Sequence, residues 1–371
     1  MRKSLFLFVA AVLLSFTCNA AEMISDSVAY RAGKWFQYAP YGNSLYADEH
    51  PDYFRMDLGA VSCKPGANYG GTSAAYSTQM FAVFGARISV WTMDLQDSRF
   101  SLNVAQTASA HLWMDVSEST TVPVVNTDYR IAVPTFTFLH RLQGREAVPF
   151  LRNYSIQFCP FKHESTHIGD EMVLQRADNN YALRRVNVSY NYAELNLTLN
   201  EPEDRYAQTH TFRLGGLLLL HPKEGWYWLD SRDGDVNNIA SNQPVHTNRI
   251  GLPERYGPSG LPFEIWLQYQ YQSACSFHGF QAIVSAEVRN RALYGYSLTE
   301  TSPASSPRTA SADPHRFTYS VFAGARYNMP HYDGYFSRFA IGVRAYHGNC
   351  PYGIFRSIDN FSHIGVCVVY Q

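Results

Sequence analysis

Between residues 163 and 171 the chain reads His-Glu-Ser-Thr-His-Ile-Gly-Asp-Glu. Two imidazoles, a hydroxyl and three carboxylates in so short a run support either of two chemistries. On a helix, His163 and His167 share a face with Glu164 beside them. That is the H-E-x-x-H spacing in which two imidazoles ligate zinc and a glutamate serves as general base. On a strand the side chains alternate, so His163, Ser165, His167 and Glu171 point one way and Glu164 the other. Ser165 is then a candidate nucleophile, with His163 or His167 as its base and Glu171 orienting the ring.

The elements around the run must decide. Pro160 suits the first position of a helix over Phe161 to Arg176, which the zinc reading requires. Against it, Gly169 interrupts that helix one turn on, and no third histidine follows in the metzincin position. A polar series on one strand face, Asn153, Ser155, Gln157 and Cys159, also runs straight into the block and continues as Phe161, His163, Ser165, His167. A pleat of ~3.3 Å per residue sets the two histidines about 13 Å apart, too far for one metal, and His163 about 7 Å from Ser165. The expectation is therefore a strand, with no metal and no cofactor.

Composition points the same way. Of 371 residues only 16% are charged while 15% are aromatic, with 26 Tyr, 23 Phe and 6 Trp. The mean hydropathy is −0.24, which excludes a bundle of membrane helices. Few charges, many aromatics and no long apolar run fit a transmembrane β-barrel, whose strands alternate and whose aromatics gather at the interfaces. A net charge of −1 leaves no basic footprint for nucleic acid.

Alternation is plain in several segments. Met80, Phe84 and Ile88 oppose Gln79, Arg87 and Ser89; Phe100, Leu102 and Val104 oppose Ser101 and Asn103. Tyr129, Ile131 and Val133 oppose Asp128, Arg130 and Ala132; Tyr154, Ile156 and Phe158 oppose Asn153, Ser155 and Gln157. Val186, Val188, Tyr190 and Tyr192 oppose Asn187, Ser189 and Asn191, then Leu195, Leu197 and Leu199 oppose Asn196 and Thr198. Ala193-Glu194 between the last two reads as a turn, as do His221 to Gly225 and Asn328 to Gly334. Long polar stretches lie at Lys162 to Leu183, Leu229 to Gly260 and Thr299 to His315. Short periplasmic turns and long outer loops are the habit of outer-membrane barrels. The expected fold is all-β: one antiparallel transmembrane barrel of about twelve strands, with fourteen as the alternative. Its last strand, through Ile364, Val366, Val368 and Tyr370, would be the one shown to the barrel-assembly machinery.

Residues 1–20 read as a signal peptide: Arg2 and Lys3, an apolar core from Leu5 to Phe16, and Cys18-Asn19-Ala20 at the cleavage site. Residues 21–371 are then a single barrel domain. Cleavage leaves Cys63, Cys159, Cys275, Cys350 and Cys367, an odd and scattered set without a C-x-x-C pair. Asp233-Gly234-Asp235 lacks the distal ligands of a calcium loop and reads as an acidic turn. Trp226-Tyr227-Trp228 reads as interfacial girdle.

Parity and loop length set Asp128, Arg130 and Arg185 on the lumen side near the same rim as His163, with Asp170 and Glu171 beside them. Near-balanced charge favours mutual bracing over an anion funnel.

The blocks Asn126 to Pro134, His163 to Glu171 and Arg185 to Tyr190 resemble those of the bacterial domain-of-unknown-function family DUF 1207, in order and spacing, over about Phe81 to Leu220. The family pattern is His-x-Ser-x-His-x-Gly-Asp-Glu, so on this resemblance Glu164 is incidental. The resemblance implies an exported, outer-membrane, barrel-like protein of a Gram-negative bacterium. The leading expectation is thus a passive pore or binding barrel in the cell outer membrane, with outer-membrane lipid and lipopolysaccharide as its surroundings. The alternative is a lipid A deacylase-like hydrolase using Ser165 with His163 or His167; a zinc peptidase is the distant third.

Overall fold

Side chains that alternate polar and apolar wrap this chain into a cylinder. The computed structural model describes residues 33–62, 77–95, 99–116, 122, 124–143, 150–168, 186–204, 206–220, 227–229, 263–276, 279–291, 297–300, 308–311, 317–329, 338–352 and 361–371, the short segments 186–189, 227–229, 297–300 and 308–311 and residue 168 by backbone alone. All regular elements among them are strands: β1 (Lys34–Trp35), β2 (Phe54–Val61), β3 (Ser77–Leu95), β4 (Phe100–Asp115), β5 (Val124–Arg141), β6 (Asn153–Ile168), β7 (Val186–Leu199), β8 (Thr209–Leu219), β9 (Tyr227–Leu229), β10 (Phe263–Gln272), β11 (Phe280–Asn290), β12 (Ser297–Glu300), β13 (Arg308–Ser311), β14 (Phe317–Asn328), β15 (Arg338–Gly348) and β16 (Phe361–Tyr370).

Each long strand pairs antiparallel with the next, and β16 pairs with β2 while β3 pairs with β4, which closes a twelve-stranded barrel. Closure leaves no unpaired edge among the spanning strands, the condition for crossing a bilayer with β-structure. Outward positions are apolar and exposed, as at Leu58, Ile88, Ile131, Leu197, Leu214, Leu267, Val343 and Ile364. Short connections gather at one end, between β3 and β4, β7 and β8, and β10 and β11, with the carboxy terminus beside them. The same end carries an outer ring of aromatic contacts: Phe54 with Phe84 and Tyr370, Phe339 with Tyr370, Phe280 with Tyr327, Phe212 with Tyr269, and Phe100 with Phe138. This is the girdle of a membrane interface.

The β7 strand corrects one expectation. Ala193-Glu194 is no turn; β7 runs unbroken through it, paired with β6 and β8. Tyr190, Tyr192, Asn196 and Thr198 face the lumen, so Asn191 shares the outward face with Leu195 and Leu197. Hydropathy changes sign along the strand while the pleat does not, and the pleat decides. β14 ends at Asn328, at the short-connection end, and residues 330–334 of the turn expected over Asn328 to Gly334 lie outside the described residues. The segments 221–226, 230–262 and 301–307, with the Asp233 turn, lie outside the described residues, as do residues 1–20 and Cys63. Cys159, Cys275, Cys350 and Cys367 are thiols.

Two prolines interrupt the ladders. In β5 the register with β4 shifts around Pro134, and in β6 the register with β7 shifts between Cys159 and Lys162, around Pro160. Proline has no N–H to donate, so a strand that must contain one bulges there. A bulge changes which parity faces the lumen. In β6 the lumen side passes from Ser155 and Gln157 to Glu164 and Thr166.

Among the described residues, much of the lumen is occupied by the chain itself. Residues 37–53 enter it as a strap, with Tyr41, Leu45, Tyr46, Ala47 and Glu49 buried. Wall side chains meet the strap backbone one position after another. Gln157 Nε2 donates to Gly42 O at 2.9 Å, Arg213 Nη2 to Asn43 O at 2.8 Å, and Gln371 Nε2 to Ser44 O at 2.7 Å. The Tyr46 N–H donates to Gln270 Oε1 at 3.0 Å and the Ala47 N–H to Ser285 Oγ at 3.1 Å. Tyr46 stacks on Phe322, and Glu49 pairs with Arg289 and Arg291. Toward the long-loop end, Phe81, Trp113, Tyr352 and Phe361 form an apolar cap. Among the described residues, a cavity of about 40 Å³, room for a few waters, lies beside His50, Lys162 and Glu194.

Candidate active site

The bulge at Pro160 turns His163, Ser165 and His167 outward, onto the lipid-facing wall, while Glu164 and Thr166 are buried in the lumen. The expected lumen-facing series Phe161, His163, Ser165, His167 is therefore reversed. An unbroken alternation would have kept it inside, but the extra residue of the bulge shifts every side chain beyond it. The sign was in the sequence, since a proline inside an alternating run marks a bulge.

The H-E-x-x-H helix is excluded by geometry. Residues 163–168 are strand, paired with β5, and Glu164 lies on the opposite face of the wall from both histidines. No group of three or more His, Cys, Asp or Glu side chains among the described residues is arranged to hold a metal ion.

On the outer face a different partner appears. His163 Nδ1 lies 2.8 Å from Asn191 Oδ1, directly across the β6–β7 ladder, where His163 and Asn191 are register partners. An amide oxygen only accepts, so Nδ1 is the donor in this contact, and in the neutral ring it is Nε2 that carries the lone pair. Ser165 is two residues on, the same side of the strand. Among the described residues no hydrogen bond joins its hydroxyl to His163, and such contacts often close only around a substrate. The reach exists at this spacing: on β4, Ser109 Oγ and His111 Nε2 meet at 3.1 Å across the same two-residue step. That second pair faces the lumen against His50, out of reach of any lipid. His167 packs edge-on against Tyr129 at 5.5 Å, and among the described residues no polar side chain is bonded to it.

Asp128 and Arg130 lie in the lumen as expected, on the far side of the wall from Ser165. Arg130 grips Glu164 with Nε to Oε2 at 3.0 Å and Nη2 to Oε1 at 3.3 Å, and lies 3.9 Å from Asp128. Asn126 Nδ2 donates to Asp128 Oδ1 at 2.9 Å, and Thr166 Oγ1 donates to Asn126 Oδ1 at 3.1 Å. Glu164, incidental on the family pattern, is thus the centre of the brace. Asp170, Glu171 and Arg185 lie outside the described residues. Sequence reasoning misses Asn191 because alternation with Tyr190 and Tyr192 assigns this asparagine to the polar, lumenal face. Its signal was a row of polar outward residues, His163, Ser165 and Asn191, breaking an apolar wall.

Ser165 stands three residues from the end of β6 at the long-loop end, about 10 Å along the strand.

No family model matches the chain, and no curated protein matches it. Among solved structures it is similar to the outer membrane phospholipase A of Escherichia coli, at 11% identity and a TM-score of 0.39, over 90% of this chain and 94% of that one. The Salmonella typhi outer membrane phospholipase dimer with bound calcium gives 11% and 0.40 over the same shares. The Salmonella typhi OmpF complex with daunomycin gives 8% and 0.23, over 86% and 96%. At such values neither the activities nor the ligands of those proteins transfer to this chain. By its own closure, belt and girdle, the chain is an antiparallel twelve-stranded β-barrel of the outer-membrane type.

Proposed function

We propose that this barrel is a lipid-acyl ester hydrolase of the cell outer membrane, working on its outward wall. The observation that carries the reading is the His163–Asn191 contact at 2.8 Å on the lipid-facing surface, with Ser165 on the same face. Asn191 holds the imidazole in the tautomer whose Nε2 can take a proton. Ser165 Oγ attacks the acyl carbonyl as that proton leaves, and His163 then protonates the departing alkoxide. Water, activated by the same ring, releases the fatty acid. Long loops at the Ser165 end support an outer-leaflet substrate, an acyl ester of phospholipid or of lipopolysaccharide. The strap and cap in the lumen support a barrel that works at its wall.

Membership of the DUF 1207 family belongs to this proposal, supported by the described parts of its blocks, 126–134, 163–168 and 186–190, falling on the adjacent strands β5, β6 and β7. So do the export signal and the use of β16 by the assembly machinery, supported by the alternation of that strand. A second reading, a non-enzymatic binding barrel, is favoured by the density of lumenal bracing. Lipid analysis of membranes carrying wild type or Ser165→Ala separates the two. Lysolipid or deacylated lipid A accumulating only with wild type supports the hydrolase; identical lipid profiles would sink it.

A further inference from the structure

We infer that Glu164 and Arg130 are positioning residues that hold Ser165 and His163 from the other side of the barrel wall. This rests on the hydrolase reading above. Glu164 stands between His163 and Ser165 in the chain, and the pleat sends it into the lumen, 1% exposed, where the guanidinium of Arg130 takes both its oxygens. The residue on the other side of Ser165, Thr166, is bonded to Asn126. Asn126, Asp128 and Arg130 are themselves linked in line along β5. The contacts form a closed loop, Glu164 to Arg130 to Asp128 to Asn126 to Thr166, and Ser165 is the residue its two ends enclose.

The need for such a clamp follows from where the site sits. Side chains on the outer wall face lipid, which offers no fixed packing, so beyond the Asn191 contact positional precision has to come from the lumen. The ladder is also interrupted just below, between Cys159 and Lys162, which leaves the strand least constrained where the histidine emerges. Lys162 Nζ, 3.0 Å from Glu194 Oε2, ties that point to β7, and the Arg130 fork ties the next lumenal position to β5. A fork binds a carboxylate in one plane and resists twisting as a point charge cannot.

The test is steady-state release of fatty acid from a phospholipid by the full-length protein in mixed micelles, with uptake of a serine-directed phosphonate as a second readout. Glu164→Ala is expected to lower kcat by about 100-fold, the cost of misplacing a reacting group by about 1 Å, with KM within about twofold. Glu164→Gln recovers only part of the rate, because its amide oxygen still accepts one N–H from Arg130 while its NH2 faces the second guanidinium N–H and the fork is lost. Arg130→Lys, which keeps the charge and should fold, loses about 10-fold in kcat through loss of the fork. Glu287→Ala breaks a comparable buried pair with Arg289, 2.8 Å apart on β11, and keeps the wild-type kcat. Equal losses for Glu164→Ala and Glu287→Ala, no loss for either, or an effect on KM alone would overturn the clamp. A wild-type protein that neither releases fatty acid nor takes up the phosphonate overturns the hydrolase reading, and the clamp falls with it.

Discussion

His163 and Asn191 face each other across the β6–β7 ladder on the lipid side of the barrel, ring nitrogen to amide oxygen at 2.8 Å. The two are 28 residues apart in the chain, and the contact assigns different duties to the two histidines of the block. His163→Ala should reduce lipid-ester hydrolysis by about 10²- to 10⁴-fold, the range for loss of a general base. Asn191→Ala should cost less, since the ring remains and only its orientation is freed. His167→Ala should leave the rate close to wild type. Initial rates on one phospholipid substrate check all three; a larger loss at His167 than at His163 would reassign the base.

Glu49 is the buried carboxylate that anchors the lumenal strap to Arg289 and Arg291. Removing one partner of a buried ion pair leaves the others desolvated and unpaired. Glu49→Ala is expected to cost about 3–5 kcal/mol of stability. Urea unfolding followed by the gel mobility of folded and unfolded barrel measures it, and a cost under about 1 kcal/mol would show that the strap is held elsewhere.

His50, on the same strap, is held neutral. Burial pushes its pKa well below the ordinary histidine value, and the cations of Arg130 and Arg289 add to the effect, with His111 and Lys162 contributing in turn. The nearest carboxylate, on Glu49, lies 3.8 Å away. The unfolded chain takes up this proton near pH 6.5 while the folded chain does not. The stability His50 contributes is therefore present above about pH 6.5 and lost as pH falls toward its depressed folded value. His50→Gln should flatten the stability–pH curve in that window. An unchanged slope between pH 6.5 and pH 4.5 would remove His50 as the source.

The occupied lumen makes a prediction of its own. Among the described residues, strap and apolar cap occupy the lumen beside a cavity of about 40 Å³. Purified protein in planar bilayers should show no stepwise conductance of the porin kind. Steady channel steps in wild type would mean that the strap does not stay where it lies.

Fold class and approximate strand number were legible in one dimension, because a barrel wall writes its two environments into alternate positions. Gln79, Ser101, Asp128, Asn153 and Asn196 all face the lumen, as period-2 reading expects. The final strand through Ile364 and Val366 likewise faces outward as expected. The chemically capable block was legible too, as was the lumenal placement of Asp128 and Arg130.

Which face the block occupies was settled only by the folded chain. Each strand carries its own local pattern, but parity beyond a bulge depends on how neighbouring ladders absorb Pro134 and Pro160, and that is a property of three strands together. The strap in the lumen is likewise silent in the sequence, because its wall contacts span up to 327 residues. By itself the sequence determined an alternating wall and a reactive triplet within it. Tertiary structure alone put His163 and Ser165 on the lipid side and Glu164 behind them, since the pleat admits no choice of face once the bulge has set its phase.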